Sequence, residues 1–144
     1  MQASPTELTA RCHCGNLTVH VQLSQPLDKL VPRACDCSFC RMHGAAYLSD
    51  PNGQLRLRVL KGSDLARYRQ GAELADMLIC RRCGVLIGAS YAVDGRIFAT
   101  LNGRILVDAH LLDSQAVSPQ RLSADAKSER WQKLWFADVS IETD

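Results

Sequence analysis

Seven cysteines lie in three tight groups along this chain of 144 residues. The groups are Cys12-His13-Cys14-Gly15, Cys35-Asp36-Cys37-Ser38-Phe39-Cys40 and Cys80-Arg81-Arg82-Cys83-Gly84. Thiols clustered at such spacings are typical of zinc sites, whereas isolated cysteines are usually small buried hydrophobic residues. The odd number of cysteines also argues against complete pairing in disulfides. The sequence therefore predicts a metal-binding protein.

The first and third groups share the feature that each ends in Cys-Gly. Glycine permits the positive φ that a tight metal-binding turn often requires. Two turns that each supply two thiolates make a tetrahedral four-cysteine site, which is the usual closed structural zinc. The spacing alone does not decide which two groups share an ion.

The middle group places three sulfurs within six residues. Because zinc takes four ligands, three cysteines leave one position for water, another side chain or a substrate. Zinc with three thiolates carries a net negative charge, which favours binding of a soft thiol over activation of water. Two alternatives remain at this stage: an iron–sulfur cluster, and a structural zinc closed by His43 or Asp36.

Strand patterns dominate the rest of the chain. Residues 17–23 and 54–60 alternate apolar and polar side chains, as half-buried strands do. Further strands are predicted at residues 74–79, 85–88 and 96–101, with turns at Asp94-Gly95 and Asn102-Gly103.

Helix is predicted in only two places. Ser38 is expected to cap a short helix that ends near Gly44. A second helix is predicted over residues 128–136, where Trp131 and Trp135 are spaced to pack it onto a sheet rather than to rim a pocket.

Composition and charge narrow the functional classes. With 47% apolar and 22% charged residues, the chain resembles an ordinary globular protein, and its net charge of +2 does not indicate a nucleic-acid partner. Residues 1–5 lack the basic start and apolar stretch of a signal peptide. No apolar run approaches the roughly 18 residues of a membrane helix, so no membrane association is expected. These features predict a cytoplasmic protein, in which thiols stay reduced.

At its cysteines the chain resembles the glutathione-dependent formaldehyde-activating enzyme family, which shares a domain with centromere protein V. The resemblance covers about residues 8–108 and rests on the order and spacing of the seven cysteines. Weaker matching features are Gly44, the segment 62–68 and Asn102-Gly103. One difference is Asp36, where family members often carry histidine. Residues 109–144 are interpreted as a C-terminal extension of a single domain, residues 1–144.

The resemblance implies a mainly β, Mss4-like fold of antiparallel sheets with zinc-binding turns and little helix. It also implies two zinc sites, the second of which can be partly occupied. The implied ligands are Cys12, Cys14, Cys80 and Cys83 for the structural zinc, and Cys35, Cys37 and Cys40 for the catalytic zinc. The implied activity is that of a carbon–sulfur lyase: the thiol of glutathione adds to formaldehyde and gives S-hydroxymethylglutathione.

Two residues beside the middle group complete this hypothesis. His43 is expected to move a proton or to serve as a fourth ligand, and Arg41 is expected to bind the substrate. The expected partners are a small-molecule thiol such as glutathione and an aldehyde. The alternative from another functional class is a non-catalytic zinc module that binds a protein or nucleic acid, although the scattered basic residues argue against nucleic acid.

Overall fold

The computed structural model of the protein describes residues 6–107 and 115–143. Within these ranges the chain forms mainly strands, and there are two α-helices, α1 (Ser38–His43) and α2 (Ala124–Leu134). The strands are β1 (Glu7–Arg11), β2 (Leu17–Gln22), β3 (Arg33–Cys35), β4 (Tyr47–Leu48), β5 (Gln54–Val59), β6 (Leu65–Tyr68), β7 (Asp76–Cys80), β8 (Leu86–Val93), β9 (Arg96–Asn102), β10 (Gln115–Val117) and β11 (Asp138–Thr143). The predicted mainly β fold with little helix is therefore confirmed.

The first sheet has four strands in the order β1-β2-β5-β11. The two clearest alternating segments form its centre, since β2 and β5 pair in antiparallel fashion with Leu17 opposite Val59 and Val19 opposite Leu57. These four side chains are buried on one face, so the alternation in the sequence corresponds to the inside and outside of the sheet. Both strands end one residue earlier than predicted.

The second sheet has seven strands in the order β10-β3-β4-β9-β8-β7-β6. The three remaining predicted strands correspond to β7, β8 and β9, which lie side by side in this sheet. Asp94 and Gly95 form the turn between β8 and β9, with φ values of 50° and 75°. Positive φ at both central residues suits the twist of a tight hairpin, which explains the Asp-Gly pair.

Both sheets are mixed rather than purely antiparallel. Strand β11 runs parallel to β5, and β10 runs parallel to β3. The expectation of antiparallel sheets is corrected at these two pairs. Two parallel neighbouring strands must be joined by a long connection. Here both parallel strands, β10 and β11, come from the C-terminal segment, which follows the other strands of each sheet in the sequence.

The C-terminal segment is part of the core, and Phe136 shows this most clearly. Its backbone N–H donates to the carbonyl of Ala99 at 2.8 Å, and the N–H of Ala99 donates back at 3.0 Å. Its ring is fully buried in the hydrophobic cluster between the sheets. The predicted second helix begins four residues earlier than expected, at α2, because Ser123 Oγ caps it by accepting from Ala126 N at 3.1 Å.

Two sequence predictions fall outside the described residues. These are the start of the C-terminal extension near residue 109 and the lack of a signal peptide in residues 1–5. Over the ranges that are described, no helix has the length and apolar character needed to cross a membrane.

Phe136→Ala tests whether the C-terminal segment belongs to the core. We expect the free energy of unfolding to fall by about 3–5 kcal/mol, because a buried ring is lost and a cavity remains. Urea denaturation with excess zinc, followed by circular dichroism, measures the change. Leu122→Ala is the control, since that side chain is 37% exposed and its loss should change stability by less than about 0.5 kcal/mol. Equal effects of the two substitutions would contradict the assignment.

Candidate metal centres

Four sulfurs from the two Cys-Gly turns meet in one cluster. The Sγ atoms all lie within 4.8 Å of one another, and they belong to Cys12, Cys14, Cys80 and Cys83. The distance from Cys14 Sγ is 3.6 Å to both Cys12 Sγ and Cys80 Sγ. A tetrahedral zinc with Zn–S bonds of about 2.3 Å holds its sulfurs about 3.8 Å apart. The number, type and spacing of these donors therefore fit zinc.

Each of the two turns of this cluster closes at its glycine, the first over three residues and the second over four. Gly15 N donates to the carbonyl of Cys12 at 3.2 Å, and Gly84 N donates to the carbonyl of Cys80 at 2.8 Å. The glycines have φ values of +85° and +81°, a conformation that side chains with Cβ rarely adopt. The repeated Cys-Gly pair in the sequence thus reflects a glycine with positive φ at the end of each turn.

Backbone amides point at the sulfurs of both turns. Leu17 N donates to Cys12 Sγ at 3.4 Å, and Cys83 N donates to Cys80 Sγ at 3.5 Å. Burial raises the pKa of Cys12 and raises that of Cys80 to about 12. Both thiols therefore favour the protonated form until a cation compensates the negative charge. Such a cluster is suited to hold a metal ion permanently.

Asp64 joins the two turns from the side. Its carboxylate accepts a hydrogen bond from Asn16 Nδ2 at 2.6 Å, next to the first turn. Its backbone carbonyl accepts from Arg81 N at 2.7 Å, within the second turn. Asp64 belongs to the segment 62–68, so a residue of that segment holds both metal-binding turns together. No pattern in the sequence marks Asp64 for this role.

The three sulfurs of the middle group form a second cluster. Cys35 is the last residue of β3, and Cys40 lies in α1. Their Sγ atoms and that of Cys37 all lie within 4.8 Å of one another, and no carboxylate or imidazole of the described residues joins the group. The trio therefore offers three soft donors, which fits zinc with a fourth position left open.

The cap of α1 differs from the prediction. Cys37, not Ser38, is the N-cap residue, because Cys37 Sγ accepts a hydrogen bond from Cys40 N at 3.4 Å. Ser38 is the first residue of the helix instead. The same sulfur can thus serve as helix cap and as metal donor. The helix ends as expected at Gly44, which has a φ of +61°.

The two candidate fourth ligands lie apart from the sulfurs. Asp36 accepts hydrogen bonds from Ser118 Oγ and from Gln120 Nε2, which ties the middle group to the C-terminal segment. His43 is exposed, and its ring centroid lies 4.6 Å from that of Phe39. Neither side chain belongs to the group of potential metal donors.

A hydrogen bond makes Cys35 lose its proton before Cys40 does. Cys40 donates to Cys35, which lowers the pKa of Cys35 to about 6 although burial acts to raise it. The same bond, together with burial, raises the pKa of Cys40. The hydroxyl of Tyr47 lies 3.1 Å from Cys40 Sγ, and burial raises its own pKa. Tyr47 therefore stays protonated and is a hydrogen-bond donor to Cys40 once that sulfur is ionised.

A cavity of about 420 Å³ opens beside the trio, and all three cysteines line it. This volume lies within the range of about 300–1,000 Å³ that is usual for small-molecule sites. Trp131 and Trp135 of the α2 region form part of its wall, with their rings stacked at a centroid distance of 4.9 Å. The sequence predicted that both would pack a helix onto the sheet. They do so, and they also face the cavity.

Cationic side chains form another part of the wall. Arg33, Lys127 and Arg130 line the cavity. Arg33 precedes Cys35 by two residues on β3, so both point to the same side of the strand. Lys127, Arg130 and Trp131 share one face of α2 by their spacing of three and four residues. Sequence reasoning missed these cations, although their spacing relative to Cys35 and Trp131 was a usable signal.

Arg41, the arginine singled out from the sequence, lies elsewhere. It is exposed on α1 and is absent from the described residues that line the cavity. Helix geometry explains this, since Cys40 faces the cavity and the next residue points about 100° away from it.

Comparisons with known proteins add independent information. The sequence profile of the family described as glutathione-dependent formaldehyde-activating enzyme matches residues 7–124, a range that includes all seven cysteines. Among solved structures, the crystal structure of a Rhodobacter sphaeroides protein is similar, with a TM-score of 0.61 and 27% sequence identity. That similarity covers 76% of this chain and 100% of the other. No curated protein gives a significant match.

Two serine substitutions test whether the two clusters contribute differently to the stability of the fold. We expect Cys83→Ser to abolish a cooperative thermal melt, because Cys14 and Cys80 are 66 positions apart and the entropy of closing such a loop is about 4 kcal/mol. Cys37→Ser should keep a cooperative melt, because the middle cluster is local and serine still caps α1. It should also lose about one equivalent of zinc. Circular dichroism and elemental analysis measure both effects, and equal loss of stability would refute the distinction.

Proposed function

The chain belongs to the glutathione-dependent formaldehyde-activating enzyme family, and from this premise we propose that it is a zinc-dependent carbon–sulfur lyase. In the proposed reaction the thiol of glutathione, or of a similar small molecule, adds to formaldehyde. A bond forms between sulfur and the aldehyde carbon, and the thiol proton ends on the aldehyde oxygen, which gives the S-hydroxymethyl thiol. The reverse reaction breaks the same bond. Because this chemistry requires reduced thiols, we propose a cytoplasmic location.

One observation carries the proposal: the three sulfurs of Cys35, Cys37 and Cys40 open into a cavity large enough for a small molecule. Zinc bound there would supply a fourth position at which a substrate thiol is held in its deprotonated form. A non-catalytic zinc module has no need of a cavity at its metal. We therefore favour an enzyme over such a module.

The residues around the trio would support this chemistry. Gln70 Nε2 lies 3.9 Å from Cys37 Sγ and the hydroxyl of Tyr47 lies 3.1 Å from Cys40 Sγ, so each can donate to an ionised sulfur. Such donors orient metal-binding sulfurs and reduce their negative charge. The buried side chains of Met77 and Trp135 also line the cavity and give it apolar surface.

The proposal assigns no part in the reaction to Arg41 or His43, since both are exposed and neither lines the cavity. We assign their expected tasks to other groups. Tyr47 is the protonated donor beside the sulfurs, and the cationic side chains of the cavity wall are suited to bind the substrate.

The reaction itself provides the first test. We expect zinc-loaded protein to form S-hydroxymethylglutathione from glutathione and formaldehyde faster than the spontaneous reaction, because the thiol is ionised and held near the aldehyde. Exchange spectroscopy by nuclear magnetic resonance with ¹³C-formaldehyde measures this rate. Cys37→Ser should reduce the rate to the spontaneous level while the protein stays folded.

A spectroscopic control separates thiol binding from turnover. With cobalt in place of zinc, glutathione should change the visible absorption of the wild type and leave that of Cys40→Ser unchanged. A wild-type spectrum indifferent to glutathione, together with a spontaneous rate of reaction, would contradict the proposed function and favour the non-catalytic zinc module.

The role of Tyr47 gives a separate prediction. Tyr47→Phe should weaken zinc binding at the trio by about 10–100-fold, because Cys40 loses a hydrogen-bond donor. Competition with a chelating dye measures the affinity. Tyr91→Phe is the matched control, since its hydroxyl contacts Ser128 Oγ at 2.7 Å rather than a sulfur. Equal zinc affinity of both variants would show that Tyr47 does not support the metal site.

A further inference from the structure

The charged groups that line the cavity are unbalanced. Arg33, Lys127 and Arg130 contribute positive charge, whereas Glu73 is the one lining carboxylate among the residues that the structure describes. Glu73 is exposed to solvent, while the three cationic residues are half-buried. Within the described ranges, neither Arg33 nor Arg130 forms an ion pair or a hydrogen bond through its guanidinium. The wall thus presents cationic groups to whatever occupies the cavity.

The two arginines come from distant parts of the chain and meet at this wall. Arg33 lies on β3 and Arg130 on α2. Both side chains line the same cavity and are half-buried. Two like charges held together in a half-buried site cost free energy unless an anion lies between them. An anionic ligand in the cavity that both arginines line would offset their charge.

We propose that Arg33 and Arg130 bind a carboxylate of the substrate, so that the cavity selects thiols carrying an acidic group over neutral thiols of similar size. This inference rests on the proposed function for the reaction, and it adds which substrates are accepted and by which residues. The planar guanidinium donates two parallel hydrogen bonds to a carboxylate, a geometry that lysine cannot reproduce.

The position of Arg33 also limits where the carboxylate lies. Arg33 and Cys35 are two residues apart on one strand, which separates their Cα atoms by about 7 Å. The acidic group of the ligand must therefore be several bonds away from its sulfur. This spacing suits an acidic peptide-like thiol better than a thiol whose carboxylate is directly adjacent.

A different role for the arginines is to balance the charge of the metal centre. Zinc with three thiolates carries a net charge of −1, and nearby cations would stabilise it whatever the substrate. The two roles make opposite predictions. Charge balance affects all thiols equally, whereas carboxylate binding affects acidic thiols alone.

Binding of a thioether separates substrate recognition from catalysis. We propose titrating zinc-loaded protein with S-methylglutathione and with its diethyl ester, which lacks both acidic groups. Both tryptophans of the chain, Trp131 and Trp135, line the cavity, so their fluorescence reports on binding. The acid should bind about tenfold or more tightly than the ester, as expected for a charged hydrogen-bonded pair.

Substitutions of the two arginines test whether these residues cause the preference for the acid over the ester. Arg130→Gln should weaken binding of the acid by about tenfold and leave binding of the ester unchanged. Arg33→Gln should do the same, and thermal melts check that both variants stay folded. Lys133→Gln is the matched control, because Lys133 is exposed on the same helix and does not line the cavity. It should keep the wild-type preference.

Each outcome bears on one hypothesis. Equal binding of acid and ester by the wild type, or an undiminished preference in both arginine variants, overturns the carboxylate site. An equal loss for acid and ester in the variants overturns it in favour of charge balance. Charge-selective binding without acceleration of the formaldehyde reaction supports the carboxylate site and counts against the proposed function alone.

Discussion

The convergence of four sulfurs at the edge of two sheets is the constraint on which the rest of this fold depends. Cys12 follows the last residue of β1 in the first sheet, and Cys80 is the last residue of β7 in the second. Both are fully buried. A metal ion at this point would fix the ends of two strands that no hydrogen-bonded ladder connects. The apolar faces of the sheets then pack against each other in a fixed orientation, with Leu57 and Leu101 in one shared cluster.

The two sulfur clusters have the same kind of donor atom but differ in their surroundings. The four-sulfur cluster is complete, is held by glycine turns on both sides and contains residues far apart in the sequence. The trio lies within one short segment and lacks a fourth donor among the described residues. Around it, Tyr47 and Gln70 supply donors to sulfur, while the C-terminal segment covers the open side. An incomplete set of ligands and a covered cavity are the features expected of a reactive centre.

Much of this arrangement is local and could be predicted from the sequence. The Cys-Gly turns depend on the φ of single glycines, and β2 and β5 follow from strict alternation. The missed parts depend on distant contacts. Strand β11 contains only two apolar residues, Val139 and Ile141, and becomes a strand by adding to β5. The capping sulfur of Cys37 was missed because serine is the commoner cap. Local spacing places Arg33 beside Cys35 and places Lys127 and Arg130 on the face of Trp131, but no local pattern shows that α2 returns to β3.

The separation of the sulfur trio from the cationic residues of α2 has an evolutionary consequence. The groups that would carry out bond formation lie on β3 and α1, whereas Lys127 and Arg130 lie on a helix about ninety residues later. Substitutions on α2 can therefore change which molecules bind in the cavity, while the metal-donor sulfurs on β3 and α1 stay the same. A fold built in this way can acquire new substrates by drift in its C-terminal segment while its chemistry is inherited unchanged. Divergence among relatives of this chain should accordingly be greatest on the cavity-facing side of α2 and smallest in the three cysteine groups.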